Sequence, residues 1–221
     1  MFRTAGALFW QLNDCWPVTS WAVIDSDLQP KAAYYYAKRF FAPVLVSMTR
    51  KGDALEVWGT NDTSSAVRAR LYVVLSSMAG ETLWKGEYPA RIPANGSALL
   101  RIVPEDVVGR VDPRTAYVRA ELRLGRRALS VNRYYFREFK HLDLGRPDVN
   151  VSLKKAGRKT WTAILTSSRL APAVALSSRS GETEFSDNYL TLDPGRPCRL
   201  AIRSAMSSGG LRRDIVVRSL P

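Results

Sequence analysis

The sequence is poor in the residues that build metal and redox sites: one histidine and two cysteines in 221 residues. Cys15 and Cys198 stand far apart, and no Cys or His pair has ligand spacing, so neither a metal site nor a disulfide is expected. A nucleophile–His–acid triad needs a base, and His141 lies in an expected interdomain stretch. There is no Gly-x-Ser-x-Gly, phosphate loop or dinucleotide fingerprint, so no cofactor is expected. No apolar run approaches the ~20 residues of a spanning helix, so no membrane partner is expected. Residues 1–6, Met-Phe-Arg-Thr-Ala-Gly, show no charged region leading into a long apolar stretch, so no signal peptide is expected there. Internal repeats and low-complexity tracts are also absent.

What is there is a globular composition, 46% hydrophobic and 24% charged, with 33 basic against 20 acidic residues and a net charge of +13. A basic excess invites a polyanion reading, but arginine is spread along the chain. The dense cluster Lys154, Lys155, Arg158 and Lys159 flanks Gly157 and reads as a solvated hairpin tip. No zinc-finger, RNA-recognition or basic-zipper pattern is present, so a nucleic-acid partner is not expected.

The periodicity changes along the chain. Residues 6–10, Gly-Ala-Leu-Phe-Trp, suit a short buried strand. Asp25-Ser26-Asp27 reads as a turn. Pro30 suits a helix start, and Ala33, Tyr36, Ala37 and Phe40 give a helix over 31–41 one apolar face. Pro43 ends it. The period then becomes two: Leu55-Val57-Gly59, Val67-Ala69-Leu71-Val73-Leu75 and Ala116-Val118-Ala120-Leu122-Leu124 alternate with polar residues. That predicts antiparallel strands with one wet face. Gly125-Arg126-Arg127 marks a hairpin turn before a strand into Asn132–Phe136. Leu144–Asp148 reads as a linker. A second strand set follows around Val149–Leu153, Thr160–Thr166, Leu190–Leu192, Cys198–Ile202 and Ile215–Val217, with Asp193-Pro194-Gly195 as a turn. The expected fold is mainly β, with two immunoglobulin-like antiparallel sandwiches over 43–139 and 140–221. A strand–loop–helix unit over 1–42 precedes them.

The chemistry-bearing cluster is Trp10, Gln11, Asn13, Asp14, Trp16 and Trp21. Aromatic platforms with a few convergent amides and carboxylates suit a carbohydrate pocket. The same indoles could instead pack a helix onto a wall.

The string Gly6-Ala-Leu-Phe-Trp-Gln-Leu-Asn-Asp-Cys-Trp-Pro-Val-Thr-Ser-Trp21, with Ile24-Asp25, Pro30-Lys31 and Tyr34-Tyr35, closely resembles the end of the catalytic (β/α)8 barrel of β-mannosidases in glycoside hydrolase family 2. Ala42-Pro43-Val44 resembles the entry to that family's first C-terminal sandwich. Asn132–Phe136 through Lys140–Leu144 resembles its junction between sandwiches, and Phe185–Tyr189 with Asp193–Gly195 its last domain. The resemblance implies that residues 1–42 are the last strand and helix of a truncated barrel. It implies a C-terminal section of an exo-acting enzyme that cleaves terminal β-linked mannose by a retaining two-glutamate mechanism. In the family both glutamates lie upstream of the Trp-Gln-Leu-Asn-Asp string, and none of the nine residues before Trp10 is Glu. This chain alone is therefore expected to be inactive, its partners being β-mannoside oligosaccharides and the missing N-terminal and barrel domains. Trp10 matches the sugar platform at the end of the eighth barrel strand, and Asn13, Asp14 and Trp16 are implied at the pocket rim. The second reading is a non-catalytic glycan-binding or assembly module, with Trp58, Trp84 and Trp161 as surface platforms. With its barrel neighbours absent, the 6–41 segment is expected to fold back on the first sandwich or to be loosely held.

Overall fold

The computed structural model describes residues 6–219. Residues 1–5 of the expected barrel remnant, where no signal peptide is expected, lie outside the described residues, as do 220–221 of the second sandwich. The chain divides into two compact units, each holding one sandwich.

The first unit contains β1 (Val44–Lys51), β2 (Ala54–Asn61), β3 (Val67–Ser77), β4 (Thr82–Ile92), β5 (Gly96–Val103), α2 (Glu105–Val108), β6 (Ala116–Leu124) and β7 (Arg127–Tyr135). All pairings are antiparallel, in sheets ordered β1-β2-β5 and β4-β3-β6-β7. The alternating apolar residues face inward: Val46, Leu55 and Val57 from one sheet pack with Leu71, Val73, Leu75, Val118, Ala120 and Leu122 from the other. Edge strands β1 and β7 are joined by side chains. Ser130 Oγ accepts from Val46 N at 3.0 Å and Asn132 Nδ2 donates to Val46 O at 3.1 Å.

Two strands carried no clear period-two signal. Strand β4 contains Gly86 and Pro89, and Pro89 is tolerated because β4 lies at the sheet edge. Strand β5 reads Gly-Ser-Ala-Leu-Leu-Arg-Ile-Val, without alternation. The expected wet face of β6 is a correction: Tyr117, Arg119 and Glu121 are buried. Charge pairing makes that burial tolerable, since Glu121 Oε2 accepts from Arg119 Nη1 at 2.7 Å and Arg123 Nη2 at 2.8 Å. Burial pushes the Glu121 carboxyl up, and the two guanidinium groups more than offset this.

The second unit contains β8 (Val149–Lys155), β9 (Thr160–Ser167), β10 (Ala171–Ser178), β11 (Glu184–Phe185), β12 (Leu190–Leu192), β13 (Cys198–Arg203), α3 (Ser208–Asp214) and β14 (Ile215–Arg218). Its sheets run β11-β13-β9-β8 and β12-β10-β14. Trp161, Ala163, Leu165, Leu200 and Ile202 pack with Val174, Leu176, Leu190, Leu192 and Leu211. The helix α3 was not legible as one, because Gly209 and Gly210 are poor helix formers. Its start is set by Ser207, whose side chain accepts from Gly210 N. Its last residue, Asp214, is buried and ties loop to helix. Burial pushes its carboxyl up, but hydrogen bonds from Ser178 Oγ (2.6 Å), Ser180 N (2.8 Å) and Thr183 Oγ1 (2.8 Å) hold it well below the ordinary range. The basic cluster at 154–159 forms the exposed β8–β9 hairpin tip, where Ala156 N and Gly157 N both donate to Thr160 O. The expected linker begins with a buried residue: Leu144 is 5% exposed, and its carbonyl accepts from Arg169 Nε at 2.9 Å. Gly145 has φ +63, and a Cβ there would lie 2.8 Å from that same Nε.

Residues 6–10 are not a strand, which corrects the expectation. They form no ladder, and Leu8 and Trp10 are exposed. A lone strand has nowhere to satisfy its backbone groups except water, and among the described residues no strand pairs with it. The helix forms as expected, as α1 (Ala32–Phe40), but its buried side chains are Tyr35 and Ala37. Ala33, Tyr36 and Phe40, three of the four residues of the expected apolar face, are exposed. The segment also does not gather on the first sandwich as a whole. Residues 13–36 cluster with the second unit, whereas 6–12 and 37–42 cluster with the first, where Phe9 and Phe41 rings lie 6.1 Å apart.

Candidate functional site

Of the predicted residues, Trp10 ends the apolar run, and Asn13, Asp14 and Trp16 lie in the loop that follows it. That loop is shaped by a short backbone lattice rather than by a sheet. Asp14 N donates to Ile24 O at 3.0 Å and Lys31 N donates to Val23 O at 2.9 Å. These contacts bring 13–14, 23–25 and 30–31 side by side, with isolated bridges Asn13–Ile24 and Ile24–Pro30. Pro30 thus lies in a bridge, and the helix opens two residues later. The Asp25 turn forms as its sequence suggests, with Asp25 Oδ1 accepting from Asp27 N at 3.0 Å and Gln29 N at 2.8 Å.

Asp14 is the electrostatic centre of this lattice. Its side chain is 1% exposed, and both carboxylate oxygens are occupied. Oδ1 accepts from Ser20 Oγ at 2.5 Å, and Oδ2 takes the Lys31 ammonium at 2.5 Å. Ser20 Oγ accepts in turn from Ala22 N at 3.0 Å. The Lys31 hydrogen bond, then that of Ser20, holds the Asp14 carboxyl below its ordinary range. Ala22 and Val23, within the same loop, are buried.

The other three predicted residues face outward. Trp10 is 72% exposed and Trp16 66% exposed, and Asn13 is exposed with Nδ2 donating to Asp14 O at 3.1 Å. The peptide between Trp10 and Gln11 is cis. Trp21, 70% exposed, is a third open indole. Asn13, Asp14 and Trp16 stand together in the second unit, and Trp10 belongs to the first. The loop offers indole faces and an amide, suited to C–H stacking and hydroxyl hydrogen bonds, and of its carboxylates Asp14 is turned inward.

Lys31 and Ser20 were not identified from sequence as parts of this site. Asp14 and Lys31 are 17 residues apart, and no periodicity relates them. Of the alternative platforms, Trp161 is buried in the second core and is no surface platform. Trp84 is half-buried against the first core. Trp58 is half-buried, with Nε1 donating to Glu56 Oε2 at 2.9 Å. Cys15 and Cys198 are not joined in a disulfide. Among the described residues no group of three or more His, Cys, Asp or Glu could hold a metal ion, and no helix is long and apolar enough to cross a membrane.

Residues 53–141 match the Mannosidase Ig/CBM-like domain model, and residues 144–221 match the mannosidase Ig-fold domain model. The chain is similar to beta-mannosidase B of Aspergillus clavatus, 26% identical over 215 residues, which are 90% of this chain and 25% of that protein. Beta-mannosidase B of Thermothelomyces thermophilus is 59% identical over 46 residues, covering 21% of this chain and 5% of that protein. Among solved structures, beta-D-mannosidase from Dictyoglomus thermophilum superposes with a TM-score of 0.89 and 28% identity, over 99% of this chain and 26% of that one. Amycolatopsis orientalis exo-chitosanase shares the fold, with a TM-score of 0.65 and 19% identity over 96% of this chain and 30% of that one. The chain thus spans about a quarter of the length of the Aspergillus and Dictyoglomus mannosidases.

Proposed function

From the premise that its two sandwiches belong to the Mannosidase Ig/CBM-like and Ig-fold domain families, we propose that this chain is the C-terminal section of a family 2 β-mannosidase. In this reading residues 1–42 close the catalytic barrel, 43–139 form the first sandwich and 140–221 the second. The substrate is a terminal β-linked mannose of an oligosaccharide. Cleavage is retaining: one carboxylic acid protonates the leaving oxygen while a second carboxylate attacks the anomeric carbon, the pair standing about 5–5.5 Å apart. Both glutamates belong to the barrel portion outside this chain, so the chain alone is inactive. Trp10 and Trp16 present indole faces to the sugar, Asn13 hydrogen-bonds a hydroxyl, and Asp14 shapes the loop through Lys31 and Ser20 instead of touching substrate. The supporting observation is the superposition on the Dictyoglomus mannosidase over 99% of this chain.

The test is a chimera in which this chain replaces the matching quarter of the Dictyoglomus enzyme. A chromogenic β-mannoside should be turned over by the chimera and not by this chain alone. In the chimera, Trp10→Ala should lower kcat/KM at least tenfold. Turnover by the chain alone, abolished by substitution of one of its own residues, would overturn the reading.

A second reading, a glycan-binding module, is favoured by the three exposed indoles at 10, 16 and 21. It predicts saturable calorimetric binding of mannan oligosaccharides to the chain alone, lost in Trp16→Ala.

A further inference from the structure

We propose that the second sandwich positions the candidate substrate loop through Tyr35, making Tyr35 and its seat at Asn188–Tyr189 positioning elements for Asn13, Asp14 and Trp16. This rests on the reading of that loop as the sugar-facing one. The connection is continuous and lies within one compact unit.

It begins at the loop, where the Lys31 ammonium holds Asp14 Oδ2 and Lys31 N–H holds Val23 O. Lys31 immediately precedes α1, so the helix start and the loop share an ionic and a backbone attachment. Tyr35 stands four residues further on, about one helical turn. Its side chain is buried, with its ring centroid 5.8 Å from that of Tyr189 and the planes tilted by 39°. Burial, then the neighbouring Asp187 charge, pushes the Tyr35 phenol up, while the Asn188 side chain acts in the opposite sense.

The seat itself is fixed. Tyr189 has φ +49, and its N–H donates to Asn188 Oδ1 at 2.9 Å. The Asn188 amide is bonded at both ends to Leu176, in the central strand β10. A displacement of the seat therefore moves the helix start, and the helix start carries Asp14. A tyrosine that only filled space would stabilise the helix and leave the loop's own exchange behaviour independent of it.

The distinguishing measurement is amide hydrogen exchange in the 221-residue chain, read at Asp14, whose N–H is held by Ile24 O, and at Lys31. Tyr35→Ala should speed exchange at both amides about tenfold. Tyr35→Phe keeps the ring against Tyr189 and should leave both within about twofold. In a Lys31→Met background, which cuts the ionic attachment and keeps the backbone one, Tyr35→Ala should accelerate exchange at Asp14 by a smaller factor than it does in the parent chain. Tyr189→Gly removes the ring from the other side, keeps the left-handed backbone and should reproduce Tyr35→Ala, which covers the case where Tyr35→Ala does not fold. Unchanged Asp14 exchange in Tyr35→Ala or Tyr189→Gly, or the same multiplication with and without Lys31, would overturn the proposal. No sugar enters this experiment. A loop that is positioned but binds no mannoside passes here and fails only in the chimera.

Discussion

Asn188 acts as a strand residue toward Leu176: Leu176 N donates to Asn188 Oδ1 at 2.7 Å, and Asn188 Nδ2 donates to Leu176 O at 2.7 Å. The β10–β12 pairing ends at Val174–Leu190, so the amide continues the ladder where the backbone of β12 does not. Both atoms of Leu176 are buried, and an unpaired buried backbone group costs about 1–3 kcal/mol. Asn188→Ala orphans two of them and should destabilise the chain by about 2–5 kcal/mol in urea unfolding followed by circular dichroism. A loss below about 1 kcal/mol would mean that water or another side chain replaces the amide.

Asp14 gives the loop a pH dependence. Its carboxyl is held below the ordinary aspartate value of 3.8, chiefly by Lys31 and then by Ser20. A depressed carboxyl contributes stability that is fully present above the unfolded value and lost as pH falls through the folded one. Exchange at the Asp14 amide should therefore be constant from pH 7 to about 5, after correction for intrinsic chemistry, and accelerate below about 3.8. Asp14→Asn should remove that acid step. A step centred above pH 5 would point to another group.

Gly59 occupies an inward position of β2. A Cβ there would lie 2.6 Å from Ile92 Cδ1 and 2.9 Å from Leu100 Cδ1. Gly59→Ala should cost about 1–3 kcal/mol by overpacking, and Gly59→Ala with Ile92→Val should recover part of it. If the single variant is as stable as the parent, Ile92 has an alternative rotamer available.

The tryptophans should separate cleanly by stability. Trp161 is 5% exposed, and Trp161→Ala should cost about 3–5 kcal/mol. Its Nε1 is buried with no hydrogen-bond partner among the described residues, so Trp161→Phe removes an unsatisfied donor and should cost much less. Trp10→Ala and Trp16→Ala remove exposed rings and should change stability by no more than about 0.5 kcal/mol. Thermal unfolding of the four variants checks this, and a Trp16→Ala loss above about 2 kcal/mol would make Trp16 a packing residue.

The sequence by itself determined the secondary elements wherever local chemistry sets them. Alternation placed β2, β3 and β6, because successive strand side chains point to opposite faces and only one face of each had to be apolar. Turn residues placed the Gly125 and Asp193–Gly195 turns, because left-handed or tight backbone selects those residues locally. The string from Gly6 to Trp21 also fixed the family resemblance. Tertiary structure alone decided which chemically equivalent side chains meet water. Trp16 and Trp161 are the same residue type, yet one is open and the other is core. Tyr35 and Tyr36 are adjacent, yet only Tyr35 is buried. The pairing of Asp14 with Lys31, and of Asn188 with Leu176, was equally invisible, since each depends on distant segments being brought together by packing. Burial and long-range pairing are properties of the neighbours a residue acquires, and a residue's place in the chain does not name them.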